Sequence, residues 1–156
     1  MSEDVVESTV QEVLEEVVAG LGLKGEVDVD RDGDVVTGTV HGHDLGLFIG
    51  RHGQTIDAVQ HLIFRIALAR GAGDEGDLRV VIDAEGYRAR RAEALQRLAD
   101  QAAEDARRQG RPVALDVMTA SERKLVHEYL RDRGDVETYS EGEEPDRHLV
   151  VAPLVT

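Results

Sequence analysis

With 156 residues and 41% apolar side chains, the sequence has material for one ordinary domain or two small ones. Aromatics at 3% argue against a module that reads bases by stacking on aromatic platforms, and the lack of cysteine excludes disulfides and thiolate metal sites. The net charge of −14 opposes a generic nucleic-acid surface, but the acid is unevenly spread.

Residues 1–35 hold 11 Asp/Glu against 2 Lys/Arg, and residues 113–156 hold 10 against 5. Residues 36–70 hold 3 arginines against 2 acids, and residues 86–112 hold 7 against 4, so two stretches are locally basic. The N-terminus is acidic without a continuous apolar run, unlike a secretory leader, and no stretch approaches the length of a membrane span. A cytoplasmic protein without membrane insertion is expected.

Val6, Val10, Val13, Leu14 and Val17 recur at helical intervals through Glu-rich sequence, which predicts an amphipathic helix ending near Gly20. Alternation through Val27 and Val29, then Val35, Thr37 and Thr39, predicts a β-hairpin across Asp32-Gly33. A short helical turn over residues 44–49 leads into Ile49-Gly50-Arg51-His52-Gly53. Ile56, Val59 and Ile63 then follow at helical spacing, in a helix that should end near Arg70-Gly71. Residues 78–82 read as a strand.

Residues 86–109 predict a long helix with Leu95, Leu98, Ala102 and Ala106 on one stripe, stopped by Gly110-Arg111-Pro112. Residues 113–118 read as a strand. Thr119, three before Glu122, has capping-box spacing and opens a helix carrying Leu125, Val126, Tyr129 and Leu130, which Gly134 should end. Residues 136–140 and 148–151 read as two strands joined by an acidic loop. No internal repeat is evident.

Gly50 and Gly53 bracket a four-residue turn, and without a Cβ the backbone there can come within contact distance of a ligand. The next helix begins at once, so its N–H groups and positive dipole end face that space, for which phosphate is the natural occupant. A tight helix–turn–helix joint would use the same two glycines. The element order over residues 2–84 matches the type II KH domain, whose G-x-x-G loop clamps about four nucleotides of a single strand. Ile49, Gly50, Arg51, His52, Gly53 and Ile56 are the expected RNA-binding residues. Ile49, Ile56 and Val59 should form an apolar groove beside a strand edge that hydrogen-bonds the bases.

Further along, Arg123 and His127 stand four apart on one helix face, pairing a guanidinium fork suited to phosphate with a second donor or stacking face. The spacing alone reads more readily as a solvated helix face. Yet Arg111-Pro112-Val113-Ala114-Leu115, Glu122-Arg123-Lys124-Leu125-Val126-His127 and Ser140-Glu141-Gly142-Glu143-Glu144-Pro145 together resemble the R-three-H domain, named for this Arg and His. With the KH-like part and Tyr87-Arg88-Ala89-Arg90-Arg91, the tandem is similar to the Jag (SpoIIIJ-associated) family of bacterial proteins over residues 5–153.

The resemblance implies an α+β fold of two small domains. A type II KH domain (α-β-β-α-α-β) would occupy residues 1–84, and a long linking helix with an R-three-H domain residues 85–156. It also implies a role as an RNA-binding regulator of cell elongation, division or sporulation, working as a homodimer or with a small single-KH partner. Arg123 and His127 would form a second RNA site, with single-stranded DNA as an alternative ligand. The family's loop usually reads Gly-Lys-His-Gly, so Arg51 keeps the charge. Its Pro-Tyr-Arg becomes Pro145-Asp146-Arg147 here, which should weaken a contact in the second domain. The N-terminal Jag domain of many members has no counterpart in this sequence.

Other motifs point elsewhere only weakly. Asp28-Val29-Asp30-Arg31-Asp32-Gly33 resembles the start of a calcium loop, but Thr39 stands where a bidentate Glu is required. His41-Gly42-His43 lacks the helical spacing of a zinc site, and the glycine loop lacks the Gly-Lys-Ser/Thr ending of a nucleotide-hydrolysing loop. No catalytic constellation stands out, so neither catalysis nor a cofactor nor a bound metal is expected. Arginines 88, 90, 91, 97, 107, 108 and 111 fit an exposed linker helix with pairs such as Glu93–Arg97 and Glu104–Arg108, or a basic strip joining two RNA sites. The competing function is a protein adaptor that uses the KH fold to dimerise.

Overall fold

The computed structural model describes residues 2–155, with side chains from residue 5 onward. The chain is α+β and divides into two compact units, Met1–Tyr87 and Arg88–Thr156.

The first unit runs α1 (Ser2–Gly20), β1 (Gly25–Asp32), β2 (Val35–Gly42), α2 (Gly46–Ile49), a 3-10 turn (Arg51–Gly53), α3 (Gln54–Ala69) and β3 (Arg79–Ala84). Its sheet has the order β1-β2-β3, with β1 antiparallel and β3 parallel to β2. Parallel pairing needs a crossover, and α2 and α3 supply it. The register sets Val27 beside Val40, Val36 beside Val80 and Val40 beside Ala84, so these apolar residues share the face that α1 and α3 cover. Gly38 occupies the centre of that face. A Cβ there would lie 2.5 Å from Val10 Cγ1 and 2.7 Å from Leu14 Cδ1, so its absence is what lets α1 close on the sheet. At the far end of α3, Arg70 reaches Glu12 of α1 at 2.9 Å, and the guanidinium holds that carboxyl below its ordinary range.

Two details differ from the sequence expectation. Asp32 pairs with Val35, so the hairpin turn is Gly33-Asp34, with Gly33 at φ +59. β3 continues to Ala84 because its parallel pairing with β2 runs through Asp83, whose polarity masks the strand. Asp28, Asp30 and Asp32 lie in a row along β1, across from Thr39, Thr37 and Val35, instead of curling around an ion. Their face is opposite to the one that α3 covers.

The second unit contains α4 (Tyr87–Gln109, from Arg88 onward), β4 (Val113–Val117), α5 (Ala120–Leu130), β5 (Val136–Glu141) and β6 (His148–Pro153). The sheet order is β4-β6-β5, antiparallel throughout, and four consecutive residues of central β6, Leu149 to Ala152, are buried. Leu95, Ala99, Ala102 and Ala103 of α4 join Met118, Val126, Leu130, Val136, Leu149 and Val151 in its core. Leu98 was expected on the buried stripe but is 49% exposed. The stripe centres on the alanines, which lie a fraction of a turn away and let the helix approach closely.

Thr119 caps α5 as its spacing predicts, its Oγ1 accepting from the Glu122 N–H. The Glu122 carboxylate does not complete the reciprocal half of the box; it accepts from Arg91 Nε of α4 at 2.7 Å. The helix ends at Leu130, before Gly134, where the Arg133 N–H donates to the Leu130 carbonyl and closes a turn.

Candidate nucleic-acid interface

The glycine loop is held in an unusual backbone shape. The Gly50 N–H donates to the Gly46 carbonyl at 2.8 Å, ending α2. Gly50 then adopts φ +74, ψ 179, a region essentially restricted to glycine. A Cβ on it would sit 2.2 Å from Thr55 Oγ1 and 2.8 Å from the Thr55 backbone nitrogen. His52 (φ +55) and Gly53 (φ +80) are also left-handed, so three of the four loop residues have positive φ. This path brings the chain round to start α3 at Gln54 with Gly53 in the N-cap position, where there is no side chain to cap the first turn. The Gln54 N–H donates to the Arg51 carbonyl, while the next amides of that turn and the positive helix end face the loop, a seat for an anion. Arg51 is exposed and His52 half-buried beside it.

The apolar residues expected to line a groove are placed differently. Ile56 is fully buried and Val59 belongs to the core, so both seat α3, and Ile49 is half-buried. A cleft of about 280 Å3 instead lies between α3 and β3, lined by Asp57, Gln60, His61 and Phe64 on one side and Leu78, Arg79 and Val80 on the other. Asp57, in the first turn of α3, brings its near end close to the loop. β3 is an edge strand, and Gln60 Oε1 accepts from its Ile82 N–H at 2.9 Å. Gln60 and Phe64 went unnoticed in the sequence; the available signal was their position between the buried turns of α3 at Val59, Ile63 and Ala67.

In the second unit, Arg123 is 7% exposed. Its Nη1 donates to the Met118 carbonyl at 2.5 Å and to the Arg147 carbonyl at 3.3 Å, and its Nη2 to the Glu144 carboxylate. The guanidinium thus ties the end of β4 to the β5–β6 loop. His127 is exposed, with Nδ1 hydrogen-bonded to Thr138 Oγ1 of β5. The structure does bring Arg123 and His127 together, on the wall of a cleft of about 350 Å3 that Lys124, Thr138, Tyr139, Ser140 and Arg147 also line. Lys124 projects into solvent, and the Tyr139 ring is 44% exposed. The sequence reading has Tyr139 in a hairpin that could lie against the Arg123 helix but names neither it nor Lys124 as a site residue, although Lys124 directly follows Arg123 and Tyr139 is one of three tyrosines in the chain.

Residues 7–82 match the KH domain of KhpA and KhpB, and residues 93–153 match the R-three-H domain. The chain is 40% identical over 136 residues to a protein of Lactiplantibacillus plantarum named RNA-binding protein KhpB, covering 87% of this chain and 41% of that one. Proteins of the same name from Clostridium symbiosum and Bacillus subtilis are each 34% identical over 143 residues, 90% of this chain and 63% and 66% of theirs. The chain therefore spans between about two fifths and two thirds of the length of these relatives. Its two matched domains in this order, and relatives of one kind along most of its length, show that the chain belongs to the KhpB (Jag) family of KH and R-three-H proteins.

Proposed function

We propose that this chain is a single-stranded RNA-binding regulatory protein without catalytic activity. The observation that carries the reading is the glycine loop, in which three positive-φ residues deliver the uncapped first turn of α3 to a space flanked by Arg51 and His52. Backbone amides and a guanidinium converging there suit a phosphate diester, and the α3–β3 cleft beside it gives flanking bases a place. The relatives' name, RNA-binding protein, supports the same ligand.

A second contact would form at Lys124, His127 and Tyr139, where a cation, a ring nitrogen and an exposed aromatic share a cleft; single-stranded DNA is the alternative ligand there. In that site Arg123 acts mainly by holding the cleft wall. Two weak sites on one chain raise affinity through effective concentration. We place the protein in the cytoplasm, in the regulation of cell elongation, division or sporulation. It would act as a homodimer or with a small single-KH protein.

Fluorescence anisotropy of short single-stranded RNAs at low and physiological salt tests the reading. Binding should weaken by roughly 0.7 log units per log unit of salt for each phosphate neutralised. It should vanish in an Arg51→Asp, His52→Asp double variant whose circular dichroism stays native. Retained affinity in that variant would remove the loop from the site. The net charge of −14 favours a second reading, a protein adaptor, and failure of the wild type to bind at low salt would move the weight there.

A further inference from the structure

The second glycine of the loop has a neighbour that lies beyond the KH match, which ends at residue 82. After β3 the chain reverses through Glu85 (φ +47) and Gly86 (φ +69). This turn is anchored to β2: the Glu85 N–H donates to the Val40 carbonyl at 3.2 Å, and the Glu85 carboxylate accepts from the Gly42 N–H at 2.9 Å. So held, the turn delivers Tyr87 against Gly53. A Cβ on Gly53 would lie 3.1 Å from both Cε1 and the hydroxyl oxygen of Tyr87. Tyr87 is half-buried against the core of the first unit, and Gly53 is buried although it belongs to a loop whose neighbour Arg51 is exposed.

We propose that Tyr87 is a positioning residue for the phosphate seat. Its ring holds Gly53 at φ +80 and thereby aims the first amides of α3 together with Arg51 and His52. The other ties hold its first glycine and its middle: the Gly50 N–H donates to the Gly46 carbonyl at 2.8 Å, and the Gln54 N–H donates to the Arg51 carbonyl. Glycine ranges widely over backbone space, and the internal Gly53 N–H to Gly50 carbonyl bond is long at 3.4 Å. A flat ring with two torsions forms a stiff wall at low entropic cost, and a Cβ at 3.1 Å would push that wall back by a few tenths of an ångström, on top of the strain of φ +80. Gly53 and Tyr87 are therefore one device, a small residue and a large one fitted together.

The proposal rests on the loop being the RNA site, and its test separates the two. Full-length Tyr87→Ala, Tyr87→Leu and Tyr87→Phe chains are compared with wild type by 15N amide shifts and by anisotropy with a short oligouridylate. The alanine chain should shift or broaden the amides of Gly50, Arg51, His52 and Gly53, while those of β1 and β2 keep their places. Its Kd should rise roughly tenfold, since a loosened seat forfeits most of the benefit of a pre-aimed one. Phenylalanine should restore both. Where alanine unfolds the unit, leucine keeps the core contact, removes the ring and decides the matter. Unmoved loop amides, or a phenylalanine chain that behaves like alanine, would overturn the proposal. If wild type binds no RNA, the functional reading fails, and the loop amides alone decide whether Tyr87 positions the loop.

Discussion

Gly50 stands where any other residue would be strained twice, once by φ +74 with ψ 179 and once by Thr55 in the space of a Cβ. The backbone term alone costs about 1–3 kcal/mol, so Gly50→Ala should lower the urea midpoint of the first unit and move the loop; an unchanged midpoint would contradict this account. The two glycines were legible because their context, an apolar residue before and an amphipathic helix directly after, is itself local in the sequence. Arg123 was not. Spacing of four put it on a face with His127, but its own burial depends on Met118 and Arg147, whose carbonyls lie outside α5. Arg123→Ala should leave the Met118 acceptor without its side-chain donor, at about 1–3 kcal/mol, and speed amide exchange in β4 to β6. Lys124→Ala, at an exposed position, should leave exchange unchanged and reduce nucleic-acid affinity.

At the scale of elements, helices declared themselves by period but not by direction. The α4 periodicity was plain, yet Leu98 faces solvent while Ala99 is buried, because the packing partner decides which edge of a stripe turns inward. The Thr119 cap was visible, while the pairing of Glu122 with Arg91 required two elements distant in sequence to meet. Gly38 shows the same limit: nothing in the alternation of β2 distinguishes a loose glycine from one under a helix. Gly38→Ala should overpack the contact with Val10 and Leu14 at about 1–3 kcal/mol, a loss that thermal unfolding would register.

At the scale of the molecule, charge is sorted. The acids of β1 lie on the sheet face opposite to the one α3 covers, while the glycine loop presents Arg51. A net charge of −14 destabilises the compact state by self-repulsion, which salt screens, whereas a phosphate contact is weakened by the same screening. Added salt should therefore raise the melting temperature slightly and lower RNA affinity steeply in the same range. Parallel slopes in the two measurements would dissociate the binding site from a phosphate contact.

The order of elements, the tandem of domains and the G-x-x-G loop were determined by the sequence alone, because periodicity, turn residues and glycine requirements are local properties of the chain. Tertiary structure decided which residues at the two sites stay accessible. It took Ile56 and Arg123 into the interior, opened the cleft at Gln60 and Phe64, and set Tyr87 behind Gly53. Burial is a property of pairs of elements, and a side chain's chemistry says what it can contact only once its neighbours are in place.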